Sequence, residues 1–159
     1  MSKMSATLHD AVWVTVQLAL LAMLVWAPTW GHLPFLGPLR PLGLAICFAG
    51  LALSAVATFQ LRAARSLTPM PSPRAQSELI STGLYARVRH PVYSGLLVWA
   101  LGMAIAASSL LHFVLFTLLG VFLNAKAAHE EGLLVQKFKA YSDYLTRTPR
   151  FIPRISFGS

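Results

Sequence analysis

The segment Gly83-Leu84-Tyr85-Ala86-Arg87-Val88-Arg89-His90-Pro91-Val92-Tyr93-Ser94-Gly95 sets three cationic or titratable side chains against a proline, after which the chain turns apolar. Proline is tolerated at the first position of a helix, where its missing N–H costs nothing, and it pushes the preceding residue out of helical geometry. His90 is therefore expected at a helix N-cap with Pro91 as the first helical residue. Arg89 and His90 then stand at the mouth of a membrane helix, where free N–H groups and the positive end of the helix dipole favour anions. Tyr93 lies one turn inside, on the same side as His90. Such a place is suited to holding a charged small molecule at a membrane surface.

The rest of the 159 residues supplies the membrane part. The chain is 56% hydrophobic and 11% charged, more apolar than a soluble domain requires. Ala11–Trp30 and Pro41–Leu61 carry no charge other than Arg40 between them, and each is about the length that crosses a bilayer at ~1.5 Å per residue. Pro91–Ala125 would be roughly 50 Å long as one helix, too much for a ~30 Å core. Ser108-Ser109 marks its middle and splits it into a helical hairpin. The expected fold is an all-α integral membrane protein, a single membrane domain of about four spans. Their expected bounds are 8–30, 41–61, 91–107 and 110–125, with a cytoplasmic loop at 62–90 and a cytosolic helix and tail at 126–159. A cleaved signal peptide fits poorly, because its basic start would be Lys3 alone and no Ala-x-Ala site follows. A soluble bundle fits worse, since the apolar runs have no polar face.

Charge sets the orientation. Of the 13 Lys and Arg residues, all except Arg40 fall on one side of a four-helix arrangement, so both termini are expected in the cytoplasm. The net charge of +8 is then a basic collar facing anionic headgroups rather than a nucleic-acid surface, as no soluble basic domain is present. The single cysteine, Cys47, excludes an intramolecular disulfide, and no metal site is expected.

Smaller features follow in order. Gly43, Cys47, Gly50, Ser54 and Ala57 form a small-residue stripe on the second helix that permits close approach of another helix. Pro69, Pro71 and Pro73 make the following loop extended, and residues 78–87 suggest a short interfacial segment. Gly95, Gly102 and Ala106 give the third helix a small face. His112 is expected at the far membrane interface rather than as a ligand. The fourth helix has no breaker before Gly132 and should carry Glu130 and Glu131 above the membrane edge. Leu134–Leu145 is expected as a surface-lying amphipathic helix.

Arg89-His90-Pro91-x-Tyr93-x-Gly95, the pair Glu130-Glu131, the tail Phe138-x-x-Tyr141-x-x-Tyr144, then Arg147 and Pro149-Arg150-Phe151-Ile152-Pro153, together resemble the signature of the isoprenylcysteine carboxyl methyltransferase family. That family belongs to a wider group of membrane methyltransferases that includes phospholipid N-methyltransferases. The resemblance covers roughly residues 78–153. It implies S-adenosylmethionine as cofactor, a cytosolic pocket formed by the third and fourth helices with the C-terminal segment, and a lipid or lipidated acceptor entering laterally. Carried over residue by residue, it implies Arg89, His90, Glu130 and Glu131 as the catalytic group. His90, Pro91, Tyr93, Gly95, Glu130, Glu131, Tyr85, Tyr141 and Tyr144 are then expected around the cofactor, with Arg147 and Arg150 toward the acceptor.

The residue chemistry supports that set. Only five acidic residues occur, two of them adjacent. Neighbours on a helix point about 100° apart, so one glutamate is expected to meet a ligand while the other pairs with a basic residue. A zwitterionic sulfonium cofactor calls for a carboxylate, a donor for its own carboxylate and an aromatic face for its cation. No Gly-x-Gly-x-x-Gly occurs, so a soluble-type dinucleotide or methyltransferase domain is absent. Sterol reductases resemble the same C-terminal half and would make the chain an NADPH-dependent reductase, although they are typically longer. A non-catalytic protein on the same scaffold is the other class. The identity of the acceptor is not written in the sequence.

Overall fold

The computed structural model describes residues 3–63 and 79–154; the proline-bearing part of the expected loop, 64–78, lies outside the described residues, as do 1–2 and 155–159. Helix α1 spans Lys3–Trp26, α2 Arg40–Ala63, α3 Pro91–Ala107, α4 Leu110–Lys137 and α5 Tyr141–Arg147. Two 3-10 segments, Pro34–Leu39 and Gly83–Ala86, lead into α2 and α3. Helix α2 with its leading 3-10 turn, Pro34–Ala63, and α4 are long and apolar enough to cross a membrane; Asp10–Trp26 and α3 are shorter apolar helices.

Punctuation in the sequence explains the ends. Helix α1 stops at Trp26 because Pro28 excludes helical geometry from the residue before it, four residues short of the expected limit at 30. Helix α3 starts at Pro91 with His90 as N-cap, and ends where Ser108 takes a left-handed conformation (φ 48°), which turns the chain into α4 within two residues. Helix α4 is 28 residues, ~42 Å at the usual rise, so about eight residues are left beyond a bilayer core. Those last turns carry Glu130 and Glu131. Gly132 does not end the helix: no side chain approaches it, and the helix runs on to Lys137.

The expected single amphipathic helix over Leu134–Leu145 is divided. Phe138 is extended and α5 begins at Tyr141, so the chain bends back over the start of α3 rather than continuing along the surface. The bend places the carbonyls of Leu145 and Thr148 on the Arg89 guanidinium, a tertiary demand that overrides local helical periodicity.

Helices α2 and α3 touch backbone to backbone. A Cβ on Gly102 would lie 2.6 Å from the Cys47 nitrogen, and one on Gly43 2.6 Å from the Ala106 nitrogen. The two small-residue faces therefore meet each other inside one molecule, which is how membrane helices gain contact area when lipid offers no hydrophobic drive. Ser54 donates to the Val92 carbonyl at 3.0 Å, and the Cys47 thiol to the Trp99 carbonyl at 3.5 Å, fixing the register. On the other side of α3, Leu24 of α1, Ala100, and Leu115, Leu119 and Leu123 of α4 form the buried apolar core.

At the end remote from Glu130, the α1–α2 connection docks on the α3–α4 turn. Leu33 donates to the Ser108 carbonyl at 2.7 Å, Leu110 to the Gly31 carbonyl at 3.0 Å, and the Ser109 hydroxyl to the Trp30 carbonyl at 2.7 Å. Gly31 has φ 66° and sits where a Cβ would be 2.8 Å from that of Leu110, so glycine is required there twice over. His112, at this end of α4, is buried beside the backbone of Leu24 in α1. The last carbonyls of α1 have no helical partner, and an imidazole one turn into α4 is placed to serve them.

Candidate functional site

Three separate pieces of chain converge on the end of α4. Arg89 and His90 precede α3; Glu130 and Glu131 lie two turns from the end of α4; and residues 148–151 cross over the start of α3. Backbone pairing holds that crossing: the Arg89 N–H donates to the Pro149 carbonyl at 2.8 Å and the His90 N–H to that of Arg150 at 3.1 Å. The Ser94 hydroxyl lies 2.8 Å from the Phe151 carbonyl, one turn further along α3.

The adjacent glutamates have different surroundings, as their angular separation on the helix requires. Glu131 is enclosed by cations. Its Oε1 accepts from Arg89 Nε at 2.9 Å and from Arg150 Nε at 3.1 Å, and lies 3.1 Å from His90 Nε2. Its Oε2 accepts from Arg150 Nη2 at 2.6 Å. Burial opposes ionisation, but the bonds from His90, Arg150 and Arg89 outweigh it and hold the carboxyl down at about 2. Arg89 Nη1 also donates to the Leu145 carbonyl at 3.0 Å and to that of Thr148, and Arg150 Nη1 to Asn124 Oδ1 at 2.6 Å.

Glu130 faces α3. Its Oε1 accepts from the Tyr93 hydroxyl at 2.6 Å, while Oε2 has His90 Nδ1 at 3.7 Å, too far for a normal hydrogen bond. Desolvation raises its pKa above the ordinary carboxyl value, against the attraction of His90 and Lys126 and the Tyr93 bond. The His90 ring therefore stands between the two carboxylates, parallel to Tyr93 at 5.4 Å between centroids and edge-on to Phe151 at 6.1 Å.

Of the other expected aromatic residues, Tyr144 and Tyr85 have their hydroxyls engaged away from the glutamates. Tyr144 donates to the Tyr85 carbonyl at 2.5 Å, and Tyr85 to the Ala57 carbonyl at 3.4 Å, so the pair ties α5 through the 3-10 turn to α2. Burial pushes the Tyr144 phenol up to about 12, which keeps it a neutral donor. Tyr141 is buried and its ring lies 5.5 Å from that of Tyr144. Pro91 is buried at the helix start, and Gly95 faces Ser54 and Gly50 of α2 rather than the glutamates. Arg147 is exposed on α5. Arg150, expected toward an acceptor, has its guanidinium taken up by Glu131 and Asn124.

A second group of polar residues adjoins Glu130 from α1. Lys126 is 2% exposed; its Nζ donates to Gln17 Oε1 at 2.5 Å and lies 5.4 Å from the Tyr93 ring centroid. Asp10 is also buried, and Trp13 stacks on His129 at 5.7 Å. The sequence reading used Lys126 only as a topological charge. Its position one turn before Glu130 was the available signal, since residues four apart on a helix are neighbours.

A family model described as phospholipid methyltransferase matches residues 39–141. Nickel-cobalt-cadmium resistance protein NccN of Alcaligenes xylosoxydans xylosoxydans is 36% identical over 86 residues, 54% of this chain and 40% of that protein. Protein-S-isoprenylcysteine O-methyltransferase of Schizosaccharomyces pombe is 38% identical over 79 residues, 48% of this chain and 34% of that one. The matches thus span less than half the length of these two relatives. A solved eukaryotic intramembrane Ras methyltransferase, isoprenylcysteine carboxyl methyltransferase, superposes with a TM-score of 0.66 at 25% identity, covering 98% of this chain and 55% of that one.

Proposed function

Because the chain belongs to the phospholipid methyltransferase family, we propose that it is an integral membrane, S-adenosylmethionine-dependent methyltransferase acting on the polar end of a lipophilic acceptor. The observation that carries this reading is the contrast at the end of α4: Glu131 saturated by two guanidiniums and His90, and Glu130 buried beside it with the His90 imidazole 3.7 Å from its Oε2 and no shorter bond to that oxygen among the described residues.

The donor set fits such a cofactor. Glu130 has acceptor capacity for an ammonium or a ribose hydroxyl. Arg89 and Arg150 against Glu131 leave one positive charge in excess, which suits a carboxylate. The His90 and Tyr93 rings offer faces to a cation. S-adenosylmethionine, when bound, supplies a sulfonium methyl group open to in-line displacement. The protein supplies alignment and a dry setting, with the 148–151 crossing closing one side. A carboxylate acceptor needs no base. An amine acceptor must lose a proton, and the Glu130 carboxylate is the group able to take it at Oε2. Glu131, Arg89 and Arg150 act in this reading as the clamp that holds His90 in place. The acceptor is a prenylated carboxylate or a phospholipid-type amine, with its apolar part between helices.

We infer that four helices cross the membrane with both termini cytoplasmic, since the site end carries the basic residues and the opposite end, with the docked turns at Gly31 and Ser108, carries Arg40 alone among the described residues. Membranes containing the protein should transfer labelled methyl from S-adenosylmethionine into a lipid-extractable product, and Glu130→Gln should lower that transfer at least tenfold. Stabilisation of the purified protein by NADPH and not by S-adenosylhomocysteine would overturn the assignment in favour of a reductase.

A further inference from the structure

Helix α1 precedes the residues matched by the family model, yet it sends polar side chains to the edge of the site. Gln17 accepts from Lys126 at 2.5 Å, and Asp10 of the same helix is a buried carboxylate whose charge favours that ammonium. A lysine buried to 2% exposure in an apolar helix bundle needs charge compensation, because an amide hydrogen bond does not balance an ion. The anions facing Lys126 are Asp10 from α1 and Glu130 from its own helix. Through the Tyr93 ring, the ammonium also flanks the residue that donates to Glu130. Ionisable groups at membrane depth are costly to place and mark functional pathways.

We propose that Lys126, held by Gln17 of α1, lying against the Tyr93 ring and one helical turn before Glu130, is a positioning residue that opposes protonation of Glu130 and holds it toward the Tyr93 hydroxyl, so that α1 bears on the charge of the cofactor-binding carboxylate. This rests on the reading of Glu130 as a cofactor ligand. The other groups facing Glu130 are His90 and Tyr93 at the start of α3, Glu131 beside it, Tyr85 in the 3-10 turn and Tyr141 of α5. None of them belongs to α1. Gln17 and Asp10 of α1 thus bear on the carboxylate through Lys126 of α4, and the lysine and the aspartate act with opposite signs.

The sign difference supplies the test. Glu130 protonation is followed by infrared spectroscopy of the full protein in nanodiscs, its carboxyl band assigned by loss in Glu130→Gln, with no methyl donor present. Lys126→Met removes the cation and should raise the Glu130 midpoint by about one pH unit or more. Asp10→Asn releases Lys126 to Glu130 and should lower it, while Lys126→Arg should hold it near wild type. Melting temperature is recorded for each variant. Midpoints that stay fixed in Lys126→Met and Asp10→Asn while melting temperatures fall would reduce Lys126 to packing and overturn the inference. Should Lys126→Met fail to fold, the direction of the Asp10→Asn shift decides alone. Calorimetry with S-adenosylmethionine is the separate arm: midpoints that move as expected in a protein that binds no S-adenosylmethionine would sink the methyltransferase reading and leave this coupling standing.

Discussion

Two guanidiniums close on the carboxylate of Glu131, while one residue earlier Glu130 is buried with a phenol and a distant imidazole. Their contributions to stability have opposite signs. Glu131 titrates near 2 in the folded protein against an unfolded value of 4.5, so it contributes stability above pH 4.5 that is lost as pH falls toward 2. Glu130 has a raised folded value, so its charge costs stability at neutral pH, and that cost vanishes below 4.5, where both states are protonated. Thermal unfolding in detergent should show Glu131→Gln lowering the melting temperature at pH 7 and Glu130→Gln raising it; the Glu130 difference should fade as pH falls to 4.5, and the Glu131 difference only below that. Glu130→Gln should lose S-adenosylmethionine binding despite its added stability. Adjacency on a helix was enough to say that the two glutamates have different roles. Which is which depends on Arg150, 19 residues away, and no periodicity in the sequence carries that pairing.

At the scale of elements, the helix starts and stops were legible where a proline or a tight turn fixes the backbone, as at Pro28, Pro91 and Ser108-Ser109. The small-residue stripe of α2 also announced a close helix contact, and α3 is its partner. What the pattern lacked was any sign of the bend at Phe138, because Leu134, Phe138, Tyr141 and Leu145 satisfy helical spacing on either side of it. The bend exists for Arg89, a contact the segment cannot encode by itself. The α2–α3 contact admits a sharp test. A side chain at Gly102 meets the Cys47 nitrogen at 2.6 Å and the Gly43 oxygen at 2.7 Å, so Gly102→Leu forces the helices apart and should destabilise by about 1–3 kcal/mol. Gly120, whose added Cβ would find only Leu97 Cδ2 at 3.7 Å, should accept alanine without loss. Thermal unfolding of the two variants distinguishes a backbone contact from general intolerance of substitution.

For the whole molecule, composition and charge were the most informative layers: they imply a membrane protein with one basic end, and the site lies at that end. Cysteine labelling in a Cys47→Ser background should react at Gly37→Cys from outside and at Lys139→Cys from inside, both positions being exposed. Outside labelling of Lys139→Cys would overturn the orientation.

The crossing of residues 148–151 over the start of α3 also bears on how the protein is made. A ribosome produces Arg89 first, Glu131 42 residues later, and Arg150 a further 19 after that. Arg150, which completes the Glu131 clamp, and the carbonyls that meet the Arg89 and His90 amides are therefore the last of these groups to be made. A chain ended after Thr148 should accordingly reach the membrane yet gain no thermal stabilisation from S-adenosylhomocysteine. Stabilisation equal to that of the longer chain would show that the last stretch is dispensable.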